Sequence, residues 1–252
     1  MLHNFLSKAV VRISTSDIRS YLSSNKDWQV GTIDRKLSVL KSFFGWLVQE
    51  ELLLHNPCTK IKSPKKPKRL PKGLSIEELE IVRESCATLR ERALMETMYS
   101  TACRLSEVSN IKISDIDFQN MSVGVVGKGD KERITYLSYK AMYHLKKYLN
   151  NRKENRFGKS DYLFIGERKP FSKLTGRSIE RAIDKIEKRA CISKKLTPHT
   201  LRHTFALLST NQGVDLADLQ HLLGHSNPST TLIYTNVSEE RKQRAFKRFH
   251  VQ

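Results

Sequence analysis

The sequence predicts a mainly α-helical chain with one small antiparallel β-sheet, divided into a helical module and a mixed α+β domain. Three observations predict it. Apolar residues recur at helical spacing through most of the chain, the period changes to alternation after Ile111, and a basic, proline-rich segment interrupts the pattern at 56–74. At 252 residues and 38% hydrophobic composition, the chain has material for two cores.

Residues 15–24 and 32–54 read as amphipathic helices, the second with Leu37, Leu40, Phe43, Phe44, Leu47 and Val48 on one stripe, so 1–55 forms a small helical module. Residues 56–74 hold four of the seven prolines and seven basic residues without an acid (Lys60, Lys62, Lys65, Lys66, Lys68, Arg69, Lys72), the composition of an extended linker suited to crossing phosphates. A solvated tether is the plainer alternative.

The second domain spans 75–237. Arg104 sits at a helix junction with Glu107 three residues on, placed to orient it or simply to pair with it. Alternation then gives strands near 116–118, 122–126 and 132–137, with a turn at Gly127-Lys128-Gly129-Asp130 that puts Lys128 at a hairpin tip. Residues 139–153 and 175–191 read as helices. Arg177 and Arg181 fall one turn apart on the second of these and face either a groove or surface ion-pair partners. Thr197 caps a helix with Pro198 at its first position and Gly213 at its end, and Asp215 caps another that Gly224 stops. Asn227-Pro228 opens a third, near whose end Tyr234 falls. Residues 238–252 form a short basic helical tail, too poor in apolar residues to fold alone, which packs on a neighbouring subunit or on its own domain.

A net charge of +19 points to a polyanionic partner, double-stranded DNA being the natural one, although charge alone does not separate DNA from RNA. No apolar run reaches the roughly 18 residues of a membrane span, and the N-terminus lacks a signal-peptide pattern, so a cytoplasmic protein with no membrane partner is expected. Cys58, Cys86, Cys103 and Cys191 match no zinc or disulfide spacing and read as reduced packing residues.

The chemistry concentrates in His199-Thr200-Leu201-Arg202, Gly224-His225 and Tyr234. A guanidinium is permanently charged and presents a planar fork that holds two phosphodiester oxygens at once. His199, three residues before Arg202 on one helix, projects toward the same ligand. A phenol nucleophile beside such cations suits attack on phosphate. Taken singly, each residue has an ordinary explanation as a surface charge or a half-buried ring; the cluster at helix ends is harder to explain so.

Arg104-Leu105-Ser106-Glu107, Gly127-Lys128-Gly129, His199-x-x-Arg202-His203, Leu223-Gly224-His225 and Tyr234 together resemble, in order and spacing, the tyrosine recombinase (phage integrase) family, with a match from about 73 to 237. The resemblance implies that Tyr234 forms a 3′-phosphotyrosyl link, that Arg104 and Arg202 clamp the scissile phosphate, and that Lys128 protonates the 5′-hydroxyl. It implies that His199 and His225 assist proton transfer and bind phosphate, with Glu107 and His203 in support. It further implies a two-domain clamp around DNA, a tetramer on two DNA sites, and catalysis without metal, ATP or other cofactor. All six catalytic positions are intact. Ala102-Cys103 stands where the family more often has Gly-Leu. The N-terminal module is shorter than is usual for the family, and the nearest resemblance is to simple Xer-like, transposon or phage core-site recombinases.

Three other functions compete. A type IB topoisomerase would use the same groups without exchanging strands between two sites, and a DNA-binding protein could keep the fold without the chemistry. A metal-dependent nuclease could use Asp115 and Asp117, but no third acid has suitable spacing.

Overall fold

The structure is a computed structural model and describes residues 9–65, 73–127, 129–154, 160–168, 170–224, 229–232 and 234. The chain divides into two compact units, Met1–Arg69 and Leu70–Gln252.

In the first unit, Ser14 and Asp17 form a reciprocal capping box that starts helix α1 (Thr15–Ser23). Helix α2 (Val30–Gln49) buries Leu37, Phe44 and Leu47 against Ile18, Tyr21 and Leu22 of α1. This helix stops five residues before the sequence pattern suggests. Glu51 turns left-handed at φ 58°, its N–H donates to Val48, and Leu52 N–H donates to the Leu47 carbonyl at 2.9 Å. That is a Schellman stop made without glycine, so no residue signals it in the sequence. The start of the expected linker also folds back. Asn56 donates to the Lys41 carbonyl at 3.1 Å, and Cys58 and Ile61 complete the small core. Cys58 and Ile61 are apolar residues that the basic composition of 56–74 hides.

The second unit is built around helix α4 (Leu89–Thr101), which follows α3 (Ile76–Glu84) and is buried on nearly every side. Ser75 and Glu78 box the start of α3, and Thr88 caps α4. Glu96 on α4 is fully buried; Arg83 and Arg92 neutralise it at 2.9 and 3.2 Å, as a buried charge requires. After α5 (Leu105–Asn110) come β1 (Ile116–Asp117), β2 (Ser122–Val126) and β3 (Glu132–Tyr136), an antiparallel sheet in chain order with Ile116 opposite Val123 and Val126 opposite Glu132. Alternation places Val123 and Val125 in the core. Helix α6 (Tyr139–Glu154) packs along α4, and α7 (Gly176–Ala190) buries Ile179, Ile183 and Ile186, each contributing about 1.5–3 kcal/mol.

The remaining helices are α8 (Pro198–Asn211), α9 (Leu216–Leu223) and the single turn α10 (Ser229–Leu232). Thr197 and Asp215 cap α8 and α9 as expected, and Gly224 ends α9 at φ 60°. Tyr234 lies just beyond α10, its N–H on the Thr231 carbonyl at 3.0 Å, rather than within a helix. Cys58 and Cys103 are buried and Cys86 is half-buried, but Cys191 is exposed at the left-handed cap of α7, its thiol donating to the Lys188 carbonyl at 3.4 Å. Among the described residues no helix is long and apolar enough to cross a membrane.

Candidate active site

Arg104 reaches the site because α4 ends abruptly. Ala102 adopts a left-handed conformation at φ 48°, which turns the chain so that Arg104 caps α5. A glycine would adopt this conformation without steric cost, which gives the Ala102 departure a physical meaning. Glu107, one turn into α5, accepts from the Arg104 amide at 2.6 Å and from its guanidinium at 2.9 Å. The second terminal nitrogen of Arg104 donates to the Gly224 carbonyl at 2.8 Å.

Arg202 approaches from α8 and is 5% exposed. It donates to the Ala102 carbonyl at 2.6 Å and to the Leu223 carbonyl at 2.5 Å. The two guanidinia therefore lie side by side on successive carbonyls at the negative end of α9. Burial, reinforced by the neighbouring charge of Arg104, lowers Arg202 to about 10, so it is still a cation at neutral pH. A fork that donates to carbonyl oxygens can equally donate to phosphate oxygens.

Tyr234 is 1% exposed and packs with Ala102, Ala206, Leu219 and Leu223. Its hydroxyl lies 2.5 Å from His203 Nδ1. Burial raises the phenol pKa, and Arg202 offsets part of that rise. Burial, then His199 and Arg202, lower the pKa of His203, so its ring is neutral at neutral pH. His199 is exposed while Arg202 is buried, and both act electrostatically on His203. His203, one turn beyond His199, is the ring that meets the tyrosine.

Arg104, Arg202, Glu107, His203 and Tyr234 are thus brought to one place. Lys128 and His225 lie outside the described residues; Gly127 N–H closes the hairpin on the Lys131 carbonyl at 2.8 Å, and Gly224 precedes His225. Of the DNA-facing candidates, Lys60, Lys62 and Lys65 are exposed, and so are Arg177 and Arg181 on α7. Lys66, Lys68 and Arg69, and the tail from 238, fall outside the described residues. Asp115 and Asp117 accept backbone N–H groups in turns, from Lys112 and from Gln119 and Asn120.

Sequence reasoning missed Arg133. On β3 it sits half-buried and grips Glu107 with two hydrogen bonds, at 2.9 and 2.8 Å. Its signal was weak, a charge in a strand that otherwise alternates, and its partner is remote in sequence.

Residues 75–241 match the phage integrase family, and residues 1–51 match the phage integrase N-terminal SAM-like domain. The chain is 35% identical over 251 residues to tyrosine recombinase XerC of Halalkalibacterium halodurans, an alignment covering 94% of this chain and 82% of that protein. It is 34% identical over 248 residues to tyrosine recombinase XerD of Oceanobacillus iheyensis, covering 95% and 83%. A crystal structure of the XerH site-specific recombinase bound to palindromic difH substrate, a post-cleavage complex, superposes with a TM-score of 0.81 at 26% identity, over 97% of this chain and 76% of that one.

Proposed function

Because the chain belongs to the phage integrase family and is a tyrosine recombinase, we propose that it recombines DNA at specific sites through a covalent 3′-phosphotyrosyl intermediate at Tyr234. The observation that carries this reading is the convergence of Arg104 and Arg202 on the Leu223 and Gly224 carbonyls, with the Tyr234 hydroxyl tied through His203 to the helix that bears Arg202.

Tyr234 Oη attacks the scissile phosphorus and the bond from phosphorus to the 5′-oxygen breaks. Neutral His203 takes the phenol proton at Nδ1, and Lys128 gives a proton to the departing 5′-oxygen. Arg104 and Arg202 hold the non-bridging oxygens and offset the charge that builds on them, assisted by His199 and His225. Phosphate entry exchanges the contact of Arg104 with Gly224, since Arg104 is the more exposed of the two arginines. The phosphotyrosyl ester retains the energy of the broken bond, so rejoining to a new 5′-hydroxyl draws on no ATP, and Arg104 and Arg202, with Lys128 as proton donor, do the work that a metal would otherwise do. Lys60, Lys62, Lys65, Lys66, Lys68 and Arg69 contact the DNA backbone, as do Arg177 and Arg181 on the catalytic unit. Exchange between two duplexes calls for a tetramer, one protomer per strand.

The test is a nicked suicide duplex carrying the site that the chain selects from a random pool. Wild type traps a covalent adduct, in EDTA as well as without it, and Tyr234→Phe binds the duplex but traps none. An adduct that persists in Tyr234→Phe sinks the assignment.

A further inference from the structure

Arg133 takes no part in the proposed reaction, yet it touches Glu107 beside Arg104 and the end of α9 before His225, and it borders Gly127 beside Lys128. Its guanidinium donates twice to Glu107, at 2.9 and 2.8 Å, and its Nε reaches the Leu222 carbonyl at 3.4 Å. It also lies flat against Gly224, where an added Cβ would stand 2.9 Å from its Nε. At Gly127, next to Lys128, a Cβ would stand 3.5 Å from Glu107 Oε1 and 3.6 Å from an Arg133 nitrogen.

Charge balance gives this placement a consequence. The Glu107 side chain is 2% exposed, so its charge is neutralised by protein groups rather than by water. With Arg104 as the lone partner, carboxylate and guanidinium would cancel, and little positive field would remain for a phosphate. With Arg133 bidentate on the same carboxylate, the trio carries one net positive charge. The exposed end of that charge is Arg104, whose side chain is 34% exposed against 14% for Arg133.

We infer that Arg133 is a positioning residue for DNA cleavage: it neutralises Glu107, so that the charge of Arg104 is available to the scissile phosphate. The inference rests on Arg104 being a phosphate ligand.

The experiment measures single-turnover adduct formation on the same suicide duplex by the full chain, with DNA affinity and melting temperature recorded for each variant. Arg133→Met lowers the adduct rate on the order of 10- to 100-fold at unchanged affinity. Adding Glu107→Gln to it removes the unbalanced carboxylate while keeping an oxygen for the Arg104 amide. The double variant then cleaves faster than Arg133→Met and within about threefold of Glu107→Gln alone, a suppression that a merely structural arginine would not show. A double variant no faster than Arg133→Met, or more than about tenfold slower than Glu107→Gln, overturns the role of Arg133. The comparison with Glu107→Gln stands even if Arg133→Met fails to fold. A wild-type chain that traps no adduct overturns the recombinase chemistry itself, and this role with it.

Discussion

Burial alone would push the Glu107 carboxyl up, but the hydrogen bonds from Arg133 and from the Arg104 amide, with the charge of Arg133, outweigh it and hold the group at about 2. A carboxylate depressed in this way contributes stability that is fully present above its ordinary value of 4.5 and is lost as pH falls toward 2. The contribution is about 3 kcal/mol. Melting temperature followed from pH 5 to pH 2 should therefore fall more steeply in wild type than in Glu107→Gln; parallel curves would contradict the ion trio. At Tyr234 the ring fills a core and the hydroxyl meets His203. Tyr234→Phe should accordingly keep the fold and lose only about 0.5–1.5 kcal/mol in a denaturant titration. His203 has a lowered pKa, so adduct formation should hold steady as pH drops to 6.5 and decline only below it, as the ring that takes the phenol proton becomes charged. A decline that begins above 6.5 would point to another base. The grouping of His199, Arg202 and His203 could be read from sequence because about one helical turn spans them. The pairing of Tyr234 with His203 could not, since 31 residues separate them.

At the scale of the element, α9 matters for where it stops. Gly224 ends it at φ 60° and presents the Leu222, Leu223 and Gly224 carbonyls to three arginines. Gly224→Ala should cost about 1–2 kcal/mol for the left-handed backbone. It also sets a methyl against Arg133, so cleavage should fall by more than the stability loss explains; circular dichroism melting and suicide-substrate trapping check the two separately. Cleavage at the wild-type rate would show that the arginines do not depend on this turn. The caps of α8 and α9 were legible because Thr197 and Asp215 announce them, whereas the capping boxes of α1 and α3 emerged only in the structure. The end of α2 was not, because its left-handed stop falls on Glu51, and neither was the left-handed turn at Ala102. Both are non-glycine residues held positive by the surrounding contacts.

For the whole molecule, charge is the organising quantity. With a net charge of +19, DNA affinity should fall linearly with the logarithm of salt concentration. Replacing exposed Lys60, Lys62 and Lys65 with Gln should flatten that slope by up to about 0.9 per lysine that meets a phosphate, measured by fluorescence anisotropy over a salt series. An unchanged slope would remove these lysines from the DNA contact. The linker lysines were visible as a run of charge, while Cys58 and Ile61, buried just beside them, were concealed by it.

The sequence by itself determined the helical periodicity, the switch to alternation at the sheet and the caps of α8 and α9, because each is encoded in residues a few positions apart. Tertiary structure alone decided that Arg133 shares Glu107 with Arg104, that Arg202 is sunk against the Ala102 and Leu223 carbonyls, and that Tyr234 rests inside a core on His203. Those contacts join residues 26, 100, 21 and 31 positions apart. Only packing brings such residues within the few ångströms over which hydrogen bonds and buried charges act.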